Sequence, residues 1–123
     1  MDAWCDRVKD TDHHPALTEA RDAAKTALEA VEGELVQIRS KSPDDDLQYA
    51  HRIDMQLAYL VYVAQSGDGA PTQQTLAAHA LWRERAHAQY AKLSEAQAGP
   101  VAAFQAAVQA LNLPPLDEVT VSD

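Results

Sequence analysis

The sequence predicts an all-α fold: an antiparallel up-down helical bundle of three long helices plus a shorter fourth, in one domain over residues 1–123. Apolar residues recur at steps of three and four, which is the helical spacing. The apolar 46% is rich in Ala and contains a single Phe, a composition that favours close-packed helices over strands. Short breaks rich in Pro, Gly and Asp separate the periodic segments, and short loops between long helices make neighbours antiparallel.

The first long helix is predicted to begin at Pro15, because the missing N–H of proline costs nothing at the first helical position. Gly33 lies within this helix and costs about 1 kcal/mol relative to Ala, so we expect a neighbouring element to approach it closely. Pro43 ends the helix, since it disfavours the α conformation at Ser42. The stripe expected to be buried consists of Leu17, Ala20, Ala24, Ala27, Leu28, Val31, Leu35 and Ile38.

The second long helix is predicted to begin at Leu47, after an acidic run at residues 44–46 that supplies an N-cap and suits the helix dipole. Tyr59, Tyr62 and Val63 widen its apolar face, so we expect it to be the most enclosed helix. Glycines at positive φ are expected to close it within residues 66–71. Its stripe consists of Leu47, Ala50, Ile53, Leu57, Leu60, Val61 and Ala64.

Thr72 is the predicted N-cap of the third long helix. A bend or short break is expected at residues 99–100, where Pro100 opens the shorter fourth helix, and Asn112 suits its C-terminal end. Residues 1–14 are interpreted as a polar lead-in or the remnant of a preceding helix, and residues 117–123 as a tail. The two stripes consist of Leu76, His79, Trp82, Ala86, Tyr90 and Leu93, and of Val101, Phe104, Val108 and Leu111.

The charge balance is acidic, with 10 Lys and Arg against 19 Asp and Glu and a formal net charge of −9. This charge repels nucleic-acid phosphates and anionic lipid headgroups, so neither nucleic acid nor a membrane surface is an expected partner. The longest apolar run, at residues 57–64, is too short to cross a bilayer, and the first residues lack the pattern of a signal peptide. The chain is therefore predicted to be soluble, with no membrane insertion.

No catalytic, cofactor-binding or metal-binding residue is predicted, and the chain is not expected to be an enzyme. Glu84 and His87 form one Glu-x-x-His motif, whereas a dimetal bundle needs two such motifs and two more inward Glu residues. His79 is expected to be half-buried and hydrogen-bonded to a neighbour. Cys5 is expected near a mobile end, with no His positioned to activate it. The alternative function is a metal-binding helical bundle using His79, His87 and Glu84 with acids from the second helix.

Two segments carry a more specific signal, ELVQIRSKS at residues 34–42 and RIDMQLAYL at residues 52–60. Shorter segments accompany them at residues 46–47, 68–72, 103–104 and 113–114. With these segments, residues 17–116 resemble the C-terminal helical region of large bacterial sortilin-like proteins, in which a β-propeller of neuraminidase-type repeats precedes the helices. The resemblance implies a helical appendage to the propeller, and no catalytic residue is carried over from it.

The same resemblance implies a protein partner, either the parent propeller or a second copy of the chain in a homodimer. It also implies a bacterial protein whose relatives are often exported. His51, the step at residues 49–50, His79 and Ala86 depart from the family pattern, and the last two thin the core. Helical sequence normally extends upstream in the family, so the chain is expected to be a fragment with an apolar groove. The leftover apolar surface is expected near Trp4, Trp82 or residues 119–121.

Overall fold

The computed structural model describes residues 1–39, 49–67 and 69–112. Within these ranges the regular structure is helical and no strand occurs, which confirms the predicted all-α class. The described residues form two units, one of residues 1–26 and 96–112 (unit 1) and one within residues 27–95 (unit 2). The elements in chain order are α1 (Asp2–Arg7), α2 (His14–Leu35), α3 (Ile53–Gln65), α4 (Gln73–Ala96), a π-helical turn (Gln97–Val101) and α5 (Ala102–Ala110).

Unit 1 has a core to which α1, the first part of α2 and α5 contribute. Leu17 and Ala24 of the predicted stripe are buried in it. The expectation that Cys5 lies near a mobile end is wrong, because its side chain is only 1% exposed. The apolar residues of the short helix α1 place it on this core. The buried side chains are Cys5, Val8, Leu17, Ala24 and Phe104, and those packed around them are Trp4, Ala20, Val101, Ala107, Val108 and Leu111.

Unit 2 contains the rest of α2, together with α3 and α4, and its buried side chains among the described residues are Val31, Ile53 and Gln89. The prediction that the second long helix is the most enclosed is wrong, because Ile53 is its buried residue and both Tyr59 and Tyr62 are exposed. Apolar side chains occur on nearly every side of α3, and one contact face can cover only some of them.

The end of α2 and the start of α3 lie farther apart in the sequence than predicted. α2 ends at Leu35, well before Ser42, and α3 begins at Ile53 instead of Leu47. Arg52 has an extended backbone, with φ −93° and ψ −176°, so the helix cannot continue upstream through it. The Ala50 carbonyl accepts a hydrogen bond of 2.9 Å from the side chain of Gln37 instead of a helical N–H. The predicted cap at residues 44–46 lies outside the described residues.

The start of α4 is confirmed. The Thr75 N–H donates to Thr72 Oγ1 at 3.2 Å, the bond that an N-cap threonine makes to the third helical residue. The predicted buried stripe of α4 is partly wrong, because Gln89 is buried and Tyr90, which was predicted to be buried, is exposed. The two positions lie about 100° apart around the helix, so the inward face is rotated from the predicted one at this point. The inward positions of α4 are Thr75, Ala78, Trp82, Ala86, Gln89, Leu93 and Ala96.

A bend or short break was predicted at residues 99–100, and the structure has no break there, since helical backbone continues through Pro100. The residues on either side of the π-helical turn have αR backbone, with φ −61° and ψ −40° at Ala96 and φ −63° and ψ −38° at Ala102. Proline has no N–H to donate and its ring crowds the carbonyl one turn back, so an ordinary α-turn is unfavourable. The wider turn avoids this conflict, and the Ala102 N–H donates to the Gln97 carbonyl five residues back.

At the ends of the helices it is asparagine, and not glycine, that adopts a positive φ. α3 ends with Ser66 in the αR conformation, its N–H donating to the Tyr62 carbonyl at 3.0 Å. None of the four glycines has a positive φ, so the predicted closure of this helix by glycine is wrong. Asn112 has φ 49° just after α5, which confirms its predicted role at that end.

Gly33 offers a test of helix propensity without a packing change. No neighbouring element lies within 4 Å of the position that a Cβ atom would take at Gly33, so the predicted close approach there is wrong. Gly33→Ala is therefore expected to raise the free energy of unfolding by about 0.5–1 kcal/mol, measured by urea denaturation. The reverse change at an exposed position of the same helix, Ala30→Gly, should lower it by a similar amount. A destabilised Gly33→Ala variant would contradict the open space around this residue.

Candidate interaction surface

The outward side of α3 carries three large apolar side chains, Met55, Tyr59 and Tyr62, which we call the tyrosine face. Their spacing of four and three residues places them on one side of the helix. The tyrosines are 62% and 67% exposed, and their ring centroids lie 6.4 Å apart with the planes tilted by 31°. The two tyrosines therefore form one aromatic surface open to water, and Met55 lies on the same side of the helix.

A groove lies on another side of α3, between it and α4. It has a volume of about 270 Å³ and is lined almost entirely by apolar atoms. Val61 and Leu76 line it and remain exposed, so the groove is open and the two helices do not close it. We call it the α3–α4 groove, and its lining consists of Leu57, Leu60, Val61, Ala64, Pro71, Thr75, Leu76 and His79.

The charge pattern of α3 also suits association. Asp54 is its one charged residue, and residues 55–65 contain no Asp, Glu, Lys or Arg. A partner surface would therefore have no helix charge to desolvate there. This apolar character does not make α3 a membrane span, since none of the described helices combines the length and hydrophobicity needed to cross a bilayer.

The two tryptophans near which leftover apolar surface was predicted are both half-buried. Trp4 packs against the core of unit 1, and the Arg7 guanidinium lies 5.0 Å from its ring centroid. Trp82 is half-buried in unit 2, with the Arg85 guanidinium 4.6 Å from its ring centroid. Residues 119–121 lie outside the described residues. The sequence does contain a signal for exposed apolar surface on α3. Its apolar residues lie on nearly all sides of the helix, and a few neighbouring helices cannot cover all of them.

The histidines of the alternative metal site do not converge. His79 and His87 are eight positions apart on α4, about 12 Å along the helix axis. His79 is exposed, so the prediction that it is half-buried is wrong, and His87 lies edge-on to Tyr90 with ring centroids 6.3 Å apart. In the part of the chain that the structure describes, no three His, Cys, Asp or Glu side chains are grouped to hold a metal ion, Glu84 included.

Unit 1 carries a small ionic cluster around the first residue of α1. The Asp2 carboxylate lies 3.3 Å from Lys25 Nζ and 3.4 Å from Arg21 Nη1. The hydrogen bond and charge of Lys25, with the charge of Arg21, lower the pKa of Asp2 below its usual 3.8. Arg21 also holds Asp22 at 2.7 Å, which raises the pKa of the arginine. Asp2, Asp22 and Lys25 are solvent-exposed and Arg21 is half-buried, so each ion pair contributes little to stability.

The lowered pKa of Asp2 predicts a small pH effect. Because the pKa is lower in the folded state, the ion pairs stabilise the fold above the unfolded pKa of about 3.8, and this stabilisation is lost as the pH falls through the folded pKa. Asp2→Asn should therefore lower the Tm at neutral pH and match the wild type once Asp2 is protonated. Asp6→Asn, in the same helix, is the control. A difference that persists in strong acid or in high salt would contradict an ionic origin.

No family model, no curated protein and no solved structure matches this chain. The resemblance of residues 17–116 to sortilin-like proteins therefore stays a prediction. The surfaces of α3 and α4 are the basis on which a function can be proposed.

Proposed function

We propose that this chain is a non-catalytic helical interaction domain that binds another protein surface through α3. The observation that carries the proposal is the tyrosine face, where Tyr59 and Tyr62 are both more than half exposed on a helix almost without charge. The α3–α4 groove beside them supplies a concave surface for side chains of the partner. Aromatic anchors next to an apolar groove are typical of protein interfaces.

Burial of this surface in an interface would contribute favourable free energy to association. Apolar area removed from water contributes about 25 cal/mol per Å². Burial of the two exposed tyrosines alone would thus contribute on the order of 5 kcal/mol, before the entropy cost of association is subtracted. The adjacent groove adds further apolar area, so a partner that covers both features could bind stably.

The proposed partner is a protein, either the parent β-propeller or a second copy of this chain. In the first case the chain is the C-terminal appendage that the sequence resemblance implies. In the second case two tyrosine faces meet about a two-fold axis in a homodimer. The proposed arrangement of the helices is an antiparallel, up-down bundle, which the short connection between α3 and α4 favours.

Sedimentation velocity tests the proposal. The wild-type chain, of 13.4 kDa, is expected to sediment as a dimer at high concentration and to dissociate on dilution. The double variant Tyr59→Ser with Tyr62→Ser should remain monomeric, because it removes the aromatic surface without touching a buried residue. Tyr90→Ser is the matched control, since this tyrosine is also exposed but lies on α4.

A monomeric wild-type chain would direct the test to the other partner. The chain should then bind the parent propeller, and the double tyrosine variant should weaken that binding at least tenfold while Tyr90→Ser does not. A chain that neither self-associates nor binds the propeller would contradict the proposal. So would a complex whose affinity is unchanged by the double variant.

A further inference from the structure

A cleft in unit 2 is lined by both charged and apolar residues, and it is distinct from the tyrosine face and the α3–α4 groove. It has a volume of about 320 Å³, within the size range of small-ligand sites. Glu34 of α2, the segment of His51 and Arg52, and the first residue of α3 form one side. The other side is formed by α4 residues, which are Trp82, Arg85, Ala88 and Gln89.

Two of the residues that line this cleft each carry a buried polar atom without a hydrogen-bond partner in the described structure, Arg52 Nε and Gln89 Oε1. Gln89 is only 8% exposed, so water does not freely solvate its amide. A buried polar group without a partner costs about 1–3 kcal/mol, and folded proteins keep few of them. A bound molecule that carries a complementary acceptor and donor would satisfy the unpaired donor and acceptor of these two lining residues.

The charge of the cleft selects an anion. Arg52 and Arg85 contribute two positive charges and Glu34 one negative charge, so the lining is net positive in a chain whose formal charge is −9. Arg52 Nη1 is 3.4 Å from Glu34 Oε1, which directs one end of the guanidinium to Glu34, while the buried Nε has no partner in the described structure. The Arg85 guanidinium is held over the Trp82 ring at 4.6 Å, which restrains its position.

We propose that the cleft binds a carboxylate that has a hydrogen-bond donor on the adjacent carbon, as in an N-acylated amino acid or the free carboxyl end of a peptide. The carboxylate accepts hydrogen bonds from Arg52, including the one from Nε. The neighbouring N–H donates to Gln89 Oε1. Ile53 and Ala88 form the apolar wall for a small side chain. This site is separate from the tyrosine face and goes beyond the proposed interaction function.

Calorimetric titration of the full chain with N-acetylalanine tests the proposal. Saturable binding is expected in the millimolar range or tighter, and N-acetylalaninamide, which lacks the carboxylate, should not bind. Propionate has the carboxylate without the donor and should bind at least fivefold more weakly. A peptide that ends in a free alanine carboxylate, compared with its amidated form, distinguishes a peptide end from a free N-acyl amino acid as the source of the ligand.

Variants assign the binding to the cleft. Arg52→Gln should weaken N-acetylalanine binding at least tenfold, because a charged hydrogen bond is lost. Gln89→Leu should weaken it while leaving the Tm unchanged or higher, since an unpaired buried amide is removed. Arg83→Gln, at an exposed position of α4, is the matched control for arginine loss and should bind like the wild type.

Three results would overturn the proposal. The first is no saturable binding by wild-type chain whose circular dichroism shows it to be folded. The second is equal binding of propionate and N-acetylalanine, which would remove the role of Gln89. The third is an equal loss in Arg52→Gln and Arg83→Gln, which would indicate general charge attraction. The double tyrosine variant should bind N-acetylalanine normally, so this test and the test of the interaction function can fail independently.

Discussion

Phe104→Ala is expected to lower the free energy of unfolding by about 3–5 kcal/mol. Phe104 is the only phenylalanine, is 5% exposed and lies in the core of unit 1. Many of its neighbours are small side chains such as Cys5 and Ala24, which cannot extend into the space that the ring leaves. The cavity therefore stays open, and the loss of stability is large for a chain of this size.

Urea denaturation followed by tryptophan fluorescence measures this loss, since Trp4 packs against the same core. Phe104→Leu retains most of the buried volume and should lose about 1–2 kcal/mol. Gln105→Ala, at the exposed neighbouring position, is the surface control and should change stability by less than about 0.5 kcal/mol. A Phe104→Ala variant as stable as Gln105→Ala would show that this core does not support the fold.

Ile53→Ala has the second largest expected effect, a loss of about 2–5 kcal/mol. Ile53 is 5% exposed in a unit with few buried side chains, so no other residue of α3 replaces its contact. It is also the first residue of α3, and its loss should reduce the helical content of that segment. Both effects follow from one buried side chain at the start of an otherwise exposed helix.

Far-UV circular dichroism during urea denaturation measures the change in helix content and in stability together. Ile53→Val should lose only about 0.5–1.5 kcal/mol, since it removes one methyl group. Met55→Ala is the matched control on the same helix, because Met55 is exposed and its truncation leaves no cavity. Similar losses in Ile53→Ala and Met55→Ala would contradict the burial pattern of α3.

Apolar periodicity predicted those parts of the fold that depend on local spacing. The stripe of α2 from Leu17 to Val31 is buried at three of its positions, because these aliphatic and small residues follow the helical step without a competing polar choice. Thr72 and Asn112 were also predicted, since capping depends on a few neighbouring atoms only. Such local chemistry can be read from sequence.

Features that depend on tertiary contacts could not be predicted in this way. The apolar spacing continues upstream of Ile53, so the pattern gives no sign of the extended backbone at Arg52 that ends the helix. At Tyr90 the larger apolar residue suggested burial, whereas the structure buries the polar neighbour Gln89. A pattern weighted by hydrophobicity cannot identify a glutamine whose burial depends on the neighbouring helices.

The candidate sites differ in how much of them the sequence contained. Tyr59 and Tyr62 were recognised as apolar residues that widen α3, but the sequence could not show that no other helix covers them. The cleft around Arg52 and Gln89 was missed, because its two sides are far apart in sequence. One signal was present, since Gln89 continues the step from Trp82 and Ala86 as a polar residue on an apolar stripe.

The burial of Cys5 makes this thiol a natural reporter of motion in unit 1. Thiol reagents attack the exposed thiolate, so alkylation of the only cysteine must wait until α1 separates from the core. The labelling rate under native conditions should thus be orders of magnitude below that in strong denaturant. Phe104→Ala should accelerate it, and the ratio of the rates would give the opening free energy of the N-terminal helix without any introduced probe.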